Sequence, residues 1–378
     1  MVANTLRPAR SPARAWRGTA VALSAAGALV VTAALSPTAA GAVGRAPSFN
    51  ALNGYLQSNL VSDQSGVAQM MDPSLVNPWG LSHGPTTPIW ASDNGMDVST
   101  IYLGGKDGGA VAAAPLVVKI PDGAPTGQQF NDTPWFRLSD GMPAFFIFAS
   151  ENGDVDAWNP SDATMAEHKA GTVNGVFKGI ALQHNGSFPR LLVADFRHNK
   201  VRVLNRAFQP VSLGPSAFHD PSLPDGYAPF NIAVFGSRVF VSYAKQDAFR
   251  HDDVAGPGHG FIDVYGPNGG MLMRFASRGV LNSPWGMTLA PLRFGPFTHD
   301  LLVGNFGDGR IHAFNPWTGH LDGTLRDTTG APIAIDGLWG LLAGNGTAAD
   351  QDDLWFSAGP DHESHGLLGI LRSARDEI

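Results

Sequence analysis

Acidic, amide and histidine side chains recur in this sequence directly after short apolar runs. We treat eight of them as candidate ligand-binding residues: Asp93, Glu151, Asp195, Asp252, Asp253, Asn305, His362 and Glu363. Carboxylates and amides bind cations and polar groups, and histidine exchanges protons near neutral pH. If these side chains surround one opening, they predict an acidic binding face for a small molecule, a peptide or a cell-wall component.

Four histidines lie in the two loops that depart most from the repeating pattern, and three of them are catalytic candidates. His251 and His259 belong to the segment 244–260, and His365 belongs to the segment 359–366. An imidazole held near a substrate can act as a general base, so these three are the catalytic candidates of a second hypothesis, hydrolysis of a lactone or ester. Solvated turns, whose Asp and Asn side chains accept hydrogen bonds from their own backbone, remain the alternative for both loops.

The elements that must position these residues are short strands in a repeated unit. Residues 283–319 contain three apolar runs separated by Gly, Asn, Asp and Pro, as expected of antiparallel hairpins. Similar units recur, and their second strands end 44 to 61 residues apart, at Asp93, Glu151, Asp195, Ala244, Asn305 and Gly359. This period predicts an all-β, six-bladed β-propeller in which the loops after the second strands share one mouth.

Three details of the propeller follow from the same pattern. The run at residues 55–61 is predicted to complete the last blade, which would remove open sheet edges. The inner strand of the second blade is expected within residues 133–141. Trp79, Trp285 and Trp339 take equivalent places in inner strands and are predicted to fill the core between blades rather than to stack on sugars.

The first 42 residues have the layout of a secretory signal peptide. Four arginines precede an apolar run at residues 18–35, and small residues follow at 40–42. A membrane anchor is the alternative, but the run is short and rich in alanine. The predicted organisation is a signal peptide at 1–42, a flexible leader at 43–54, a single propeller domain at 55–372 and a tail at 373–378. We therefore expect a secreted, extracellular protein.

Composition limits the partners of the mature chain. Four of the 25 basic residues lie in the first 42 residues, which leaves 21 basic against 32 acidic residues, a formal net charge of −11. Such a charge disfavours binding to nucleic acid and to anionic membranes. The absence of cysteine excludes disulfides, thiolate metal sites and cysteine nucleophiles. We expect a monomer that binds a small molecule or another extracellular ligand, with no nucleic-acid partner and no membrane partner after signal cleavage.

Several strings go beyond a general propeller pattern. These are NPWGL at residues 77–81, LNSPWG at 281–286, LLVGNFGDG at 301–309, and AGP at 358–360 followed by Glu363 and His365. Over about residues 60–371 the chain resembles a family of secreted bacterial NHL-like β-propellers, which implies a fold rather than an activity. At the level of fold it is similar to the senescence-marker/gluconolactonase and paraoxonase propellers, which hold calcium in the central channel and open lactones. That similarity implies a calcium-dependent hydrolase as the alternative to a binding protein.

Two metal-binding arrangements are open. Oxygen atoms of Asn77, Asn231, Asn282 and Asp336 around the axis would suit calcium, which takes about six to eight oxygen ligands. The chain lacks the string of one Glu with paired Asn or Asp that the lactonase propellers carry. Alternatively, His251 or His259 could hold zinc or another transition metal together with His362, Glu363 or His365. Calcium is therefore the candidate cofactor, and the binding hypothesis requires none.

Overall fold

The computed structural model describes residues 49–162, 164–347 and 349–377. The predicted signal peptide at 1–42 and the first part of the predicted leader, residues 43–48, lie outside the described residues. Within the described part of the chain, no helix combines the length and the apolar character needed to cross a membrane.

The strands of the described residues form six blades, which confirms the predicted all-β propeller. Two strands precede the first blade, β1 (Tyr55–Ser62) and β2 (Met70–Met71). Blade 1 contains β3 (Pro78–Ser82), β4 (Ile89–Asp93), β5 (Val98–Gly104), β6 (Val111–Ala113) and β7 (Val118–Lys119). Blade 2 contains β8 (Pro125–Phe130), β9 (Phe146–Ser150), β10 (Asp154–Trp158) and β11 (Glu167–Gly171). Blade 3 contains β12 (Phe177–Gln183), β13 (Arg190–Asp195) and β14 (Lys200–Leu204).

The second half of the chain continues the same order. Blade 4 contains β15 (Tyr227–Phe235), β16 (Arg238–Lys245), β17 (Phe261–Tyr265) and β18 (Met271–Ser277). Blade 5 contains β19 (Pro284–Leu289), β20 (Leu301–Asn305), β21 (Ile311–Phe314) and β22 (Leu321–Thr324). Blade 6 contains β23 (Leu338–Ala343), β24 (Leu354–Ala358) and β25 (Leu367–Ser373). The helical segments of the described residues are short: Ala51–Asn53, Asn94–Met96, Lys106–Gly108, Gly295–Phe297, Pro360–Glu363 and Ala374–Glu377.

Blade 6 is closed by the start of the domain. Strand β1 pairs antiparallel with β25, with Tyr55 opposite Ser373 and Ser62 opposite Leu367. The hydroxyl of Tyr55 also donates a hydrogen bond to the carbonyl of Phe294 in blade 5, 3.0 Å away. This pairing confirms the predicted role of the first strand, and it joins the two ends of the domain within one sheet.

The inner strand of blade 2 is β8 at Pro125–Phe130, so the expectation of residues 133–141 was wrong. The pattern misled because β8 carries polar side chains that are buried and hydrogen bonded. Thr126 donates to the carbonyl of Phe177 at 2.9 Å, and Gln128 donates to the carbonyl of Trp90. The segment 133–141 instead contributes Phe136 and Leu138 to the core shared with blade 3.

The inner strands approach one another closely around the axis because five of the six have glycine at the same place, where blade 4 has Asn231. A side chain at Gly80 would meet the carbonyl of Thr126 at 2.6 Å, so no Cβ fits there. In each inner strand the side chain just before this place points to the axis. From blade 1 to blade 6 these residues are Trp79, Thr126, Lys178, Phe230, Trp285 and Trp339. The rings of Trp79 and Trp339 stack with centroids 3.5 Å apart, and Trp285 meets both edge-on. The three tryptophans are buried, which confirms their predicted role in the core.

Candidate functional site

Lys178 lies at the centre of the mouth, in a position that the other blades fill mainly with aromatic residues. Its side chain is only 2% exposed, and its Nζ contacts a carboxylate oxygen of Glu151 and lies 3.4 Å from Oδ1 of Asp252. The ammonium group also lies 4.9 Å from the ring centroid of Trp79. A buried ammonium group is costly unless it is paired, so the surrounding carboxylates are what allow a lysine at the axis.

The carboxylates come from loops of the same type in three blades. Glu151 follows β9, Asp252 follows β16, and Glu363 belongs to the short helix after β24. Each of these loops joins the second strand of a blade to the third, so all open on the same face of the propeller. The predicted convergence of residues distant in sequence is therefore present at this mouth.

Two amides tie the carboxylates together. Asn94 donates to Oε2 of Glu151 at 2.9 Å, and Asn77 donates to Oε2 of Glu363 at 3.2 Å. Nδ2 of Asn77 also lies 3.3 Å from Oδ1 of Asn94. Asn77 has φ of 48°, in the left-handed region where Asn is enriched, and this turn places its amide between the blades. The amides thus link the carboxylates of Glu363 and Glu151 in one hydrogen-bonded chain.

The electrostatics of the cluster separate its carboxyl groups into two states. Burial and the nearby charge of Glu151 raise the pKa of Glu363 to about 7. Burial also raises the pKa of Asp253. Burial alone would raise the pKa of Asp252 too, but the hydrogen bond with His251 and the charge of Lys178 lower it to about 2. At neutral pH Asp252 is ionised, whereas Glu363 is partly protonated.

The two basic groups of the cluster stay protonated more readily than usual. Burial opposes the charge of Lys178, but the carboxylates of Glu151 and Asp252 raise its pKa above the ordinary value. The hydrogen bond between Nδ1 of His251 and Asp252, 2.7 Å long, raises the pKa of His251. Ligand atoms of Glu151, His251 and Asp252 lie within 4.8 Å of one another, a spacing compatible with a metal ion. The ammonium group of Lys178 contacts both carboxylates of this set and thus already supplies a positive charge.

Half of the predicted ligand-binding residues gather at this mouth: Glu151, Asp252, Asp253 and Glu363. Three others are buried inside their blades and bonded there. Asp93 accepts from the backbone N–H of Thr100, Asp195 pairs with His198 and Arg202, and Asn305 donates to the carbonyl of Val280. His362 is exposed next to Glu363. The structure therefore does not bring these last four residues to Lys178.

The three catalytic candidates are placed differently from one another. His251 belongs to the cluster through its bond to Asp252. Nδ1 of His259 lies 2.7 Å from the carbonyl of Val254, within its own loop. Nδ1 of His365 lies 2.8 Å from Oδ2 of Asp63, in the segment after β1. Of the three, His251 has the contacts expected of a proton-transfer group at the mouth.

The predicted calcium ligands each accept a hydrogen bond of their own. The oxygens of the four residues accept hydrogen bonds from four different donors: Asn77 from Trp339 Nε1 at 3.1 Å, Asn231 from Ile232 N at 2.8 Å, Asn282 from Gly256 N at 2.6 Å, and Asp336 from Asp361 N at 2.9 Å. Asn231 also lines a cavity at the opposite end of the axis, and the other three do not. The four oxygens are therefore held by separate N–H groups rather than by one common partner. Calcium at the axis, like zinc held by the histidine loops, stays a prediction.

Sequence reasoning missed Lys178, although a signal was present. When the inner strands are aligned, Lys178-Gly179 takes the place of the Trp-Gly pairs that begin at Trp79, Trp285 and Trp339. An ionisable residue at a position that is otherwise aromatic and buried requires oppositely charged partners. Those partners are the carboxylates that the loop pattern had identified.

Comparisons with known proteins support the fold and show the family, and no family model matches the chain. The uncharacterized protein R648 of Acanthamoeba polyphaga mimivirus is 32% identical over 362 residues, covering 90% of this chain and 87% of the relative. The uncharacterized protein L690 of the same virus is 33% identical over 336 residues, covering 84% of this chain and 85% of the relative. The solved structure of a glucose dehydrogenase has a TM-score of 0.52 at 12% identity, over 83% of this chain and 98% of that chain, a likeness of fold alone.

These relatives do not test the expected membership of a secreted bacterial NHL-like family, which stays a prediction, because both are mimivirus proteins. Their identity and coverage extend over nearly the whole propeller. The chain therefore belongs to the same family as the mimivirus proteins R648 and L690.

Proposed function

We propose that this protein is a ligand-binding propeller whose mouth recognises a positively charged group of a small molecule, a peptide or a cell-wall component. The observation that carries the proposal is that carboxyl groups outnumber basic groups around Lys178. Four carboxyl groups, those of Glu151, Asp252, Asp253 and Glu363, act on one ammonium group. A partly buried cluster with surplus negative charge attracts a further cation, since its field is less screened there than in bulk water.

Asp252 is the residue through which a ligand would enter the cluster. Its side chain is 66% exposed while its carboxylate is held by His251 and faces Lys178. Ammonium and guanidinium groups donate charge-assisted hydrogen bonds to such a carboxylate. The expected ligand is therefore an amine or a guanidine rather than an anion or an uncharged sugar.

Calorimetric titration with spermidine and with a lysine-containing peptide tests this proposal. Asp252→Asn keeps the size of the side chain and removes its charge, and we expect at least a tenfold loss of affinity, about 1.4 kcal/mol. Asp132→Asn is the matched control, because Asp132 is 52% exposed and lies 3.2 Å from His184, yet lines the cavity at the other end of the axis. No amine binding by the wild type, or equal losses in the two variants, would contradict the proposal.

Secretion is part of the proposed function, since a cell-wall component or another extracellular ligand is met outside the cell. The arginines and the apolar run of residues 1–42 support it. We expect a monomeric mature chain that begins near residue 43. Amino-terminal sequencing of the exported protein checks the cleavage site, and retention of an intact leader in the membrane fraction would contradict it.

A hydrolase acting on a lactone or ester is the second candidate, and one observation favours it. A proton-transfer group near pH 7 (Glu363) and an ionised carboxylate (Asp252) share the cluster with His251. Acid–base catalysts depend on such a separation of pKa values. A panel of lactones and chromogenic esters, assayed with and without chelator, tests both the activity and its predicted calcium dependence. Turnover that Glu363→Gln abolishes supports the hydrolase, and turnover unchanged by Glu363→Gln and by His251→Gln excludes this mouth as its site.

A further inference from the structure

A second polar cluster lies in blade 2 and shares no residue with the group around Lys178. Asp154 and Asp156 alternate on β10 and so point to the same face of the sheet. His168 on β11 is the cross-strand partner of Asp156. Asp122 belongs to the connection between β7 and β8, which passes from blade 1 to blade 2. Ligand atoms of Asp122, Asp156 and His168 all lie within 4.8 Å of one another.

Asp156 is the residue that an ordinary structural role does not explain. Its side chain is fully buried, and neither carboxylate oxygen makes a well-formed hydrogen bond among the described residues, although Asp122 lies close enough to interact with it. Trp158, the next residue on that face of β10, packs in the core between blades 1 and 2. A buried polar group without a partner costs about 1–3 kcal/mol, and more if it is charged. A carboxylate held in such a place needs a proton or a cation.

The cluster contains no permanent positive charge of its own. Nδ1 of His168 lies 2.5 Å from Oδ2 of Asp122 and 3.9 Å from Oδ1 of Asp154. Among the described residues, the ion pairs of these carboxylates are formed with this histidine and not with lysine or arginine. Three carboxyl groups therefore share one imidazole, which is itself charged only when protonated.

We propose that Asp122, Asp156 and His168, with Asp154 as a fourth donor beside them, bind a divalent metal ion at the junction of blades 1 and 2. The ligand set consists of carboxylate oxygens and an imidazole nitrogen. The ion neutralises the buried carboxylate and joins the inter-blade connection to the outer strands of blade 2. The site is separate from the mouth and does not depend on the function proposed there.

Access and space at the cluster suit an exchangeable ion. The side chain of His168 is 51% exposed and that of Asp122 is 28% exposed, so the ion can enter from solvent. The carboxylate of Asp154 lies where a Cβ atom of residue 171 would be. Because residue 171 is glycine, this space is available to the carboxylate. The donors thus extend from the surface to the buried oxygens of Asp156.

The imidazole decides which class of metal fits. Calcium and magnesium prefer oxygen ligands throughout, whereas zinc and other transition metals accept mixed carboxylate and imidazole sets. Zinc is bound by four donors with bonds of about 2.0–2.2 Å, so two ligand atoms on one ion lie within about 4.4 Å of each other. The ligand atoms of the cluster lie within 4.8 Å of one another, so small rotations of the partly exposed Asp122 and His168 bring them to this distance. We therefore expect zinc or manganese to bind more tightly than calcium.

The alternative is a proton shared between Asp156 and Asp122, with no ion. A shared proton would satisfy the buried carboxyl group without any role for His168. The two interpretations differ in the effect of added metal. Zinc stabilises the folded protein if the site exists and leaves its thermal unfolding unchanged if a proton takes its place.

The test is calorimetric titration of the full chain, stripped with chelator and free of any histidine tag, with zinc, manganese and calcium. We expect one zinc per chain, a weaker response to calcium, and a rise in melting temperature with zinc. Asp156→Asn and His168→Gln should each lower zinc affinity at least tenfold. Asp252→Asn is the control, because it alters the other Asp–His group, that of the mouth, and should leave zinc binding unchanged.

Two outcomes overturn the proposal. Wild-type protein that is folded but unaffected by zinc indicates the shared proton. Zinc binding lost in Asp252→Asn and kept in His168→Gln assigns the ion to the mouth instead. If Asp156→Asn fails to fold, His168→Gln and Asp122→Asn still decide the question, since both residues are partly exposed and their loss is compatible with folding.

Discussion

The mouth and the junction of blades 1 and 2 contain the same types of side chain but balance their buried carboxylates differently. Both place a histidine next to an aspartate and hold further carboxyl groups out of water. At the mouth Lys178 contacts Glu151 and Asp252, so the protein carries its own cation. At the blade junction His168 is the ion-pair partner, and Asp156 is left without a well-formed hydrogen bond.

The difference shows that a built-in lysine, and not the number of carboxylates, separates the mouth from a cluster that holds no permanent cation among its own residues. Burial raises the pKa of a carboxyl group in both places, that of Glu363 to about 7 and that of Asp156 to about 9. Only the mouth has a lysine that opposes this shift. The blade junction therefore depends on a proton or a metal ion that the chain does not supply.

Removing the lysine is the strongest way to break this comparison. Lys178→Met retains an unbranched side chain at the axis but leaves Glu151 and its neighbours without a counter-charge. Loss of one partner of a buried ion pair costs about 3–5 kcal/mol, and we expect a decrease of that size in the free energy of unfolding. Equilibrium denaturation with urea measures it.

Lys169→Met provides the control for that experiment. Lys169 lies 3.4 Å from Glu167 in blade 2, where the two side chains are partly exposed, at 17% and 33%, against 2% for Lys178. Ion pairs that water reaches contribute about 0–1 kcal/mol, so this variant should lose much less stability than Lys178→Met. Equal losses in the two variants would show that Lys178 has no special role and would remove the contrast between the two regions.

The pH dependence of stability sharpens the comparison within the mouth. The folded-state pKa of Glu363 is raised to about 7 from an ordinary 4.5. Its contribution to stability is therefore fully present below pH 4.5 and is lost as the pH rises through 7, because the folded protein keeps a proton that the unfolded chain releases. The free energy of unfolding of the wild type, minus that of Glu363→Gln, should fall by about 1–3 kcal/mol between pH 4.5 and pH 8.

Glu167→Gln is the matched control for the pH experiment. Partial burial raises the pKa of Glu167, but hydrogen bonds from Ser139 outweigh it and lower the pKa, so any change of its contribution with pH has the opposite sign to that of Glu363. The difference between wild type and Glu167→Gln should therefore not fall between pH 4.5 and pH 8 and should stay nearly flat. A flat profile for Glu363→Gln as well would mean that Glu363 is ionised in the folded protein and available only as an acceptor.

The sequence predicted the architecture better than the chemistry. Turn residues and apolar runs repeat in every blade, so the number of blades and the closure by β1 were accessible from local pattern. The position of strand β8 was predicted wrongly because Thr126 and Gln128 are polar, yet buried. Their side chains donate hydrogen bonds to backbone carbonyls of neighbouring blades, and no local sequence pattern encodes such contacts. The loops after second strands pointed to Glu151 and Glu363, but Asp195 occupies the equivalent place and pairs inside its own blade.

The residues that set the charge balance of the two clusters were not predicted from the sequence, for a related reason. Lys178 and Asp156 each lie within a strand, where a polar residue at one position reads as an ordinary break in the apolar pattern. Their importance depends on what faces them from other blades or from an inter-blade connection. Contacts of this kind span many residues in sequence, and only the radial arrangement of the sheets creates them.

The smallest expected effect concerns the space beside the blade-junction cluster. Gly171→Ala places a methyl group against the carboxylate of Asp154, which can rotate away, so the free energy of unfolding should change by less than about 1 kcal/mol. Rotation removes Asp154 from the proposed metal ion, and we expect zinc affinity to fall roughly threefold to tenfold, equivalent to about 0.7–1.4 kcal/mol. Gly270→Ala is the control, since nothing lies within 4 Å of the added methyl group there.

Zinc affinity that is unchanged in Gly171→Ala but reduced in His168→Gln would limit the ligand set to Asp122, Asp156 and His168. In that case the fourth position on the ion belongs to water, and the blade junction, unlike the mouth with its buried lysine, keeps a coordination position open to an incoming ligand.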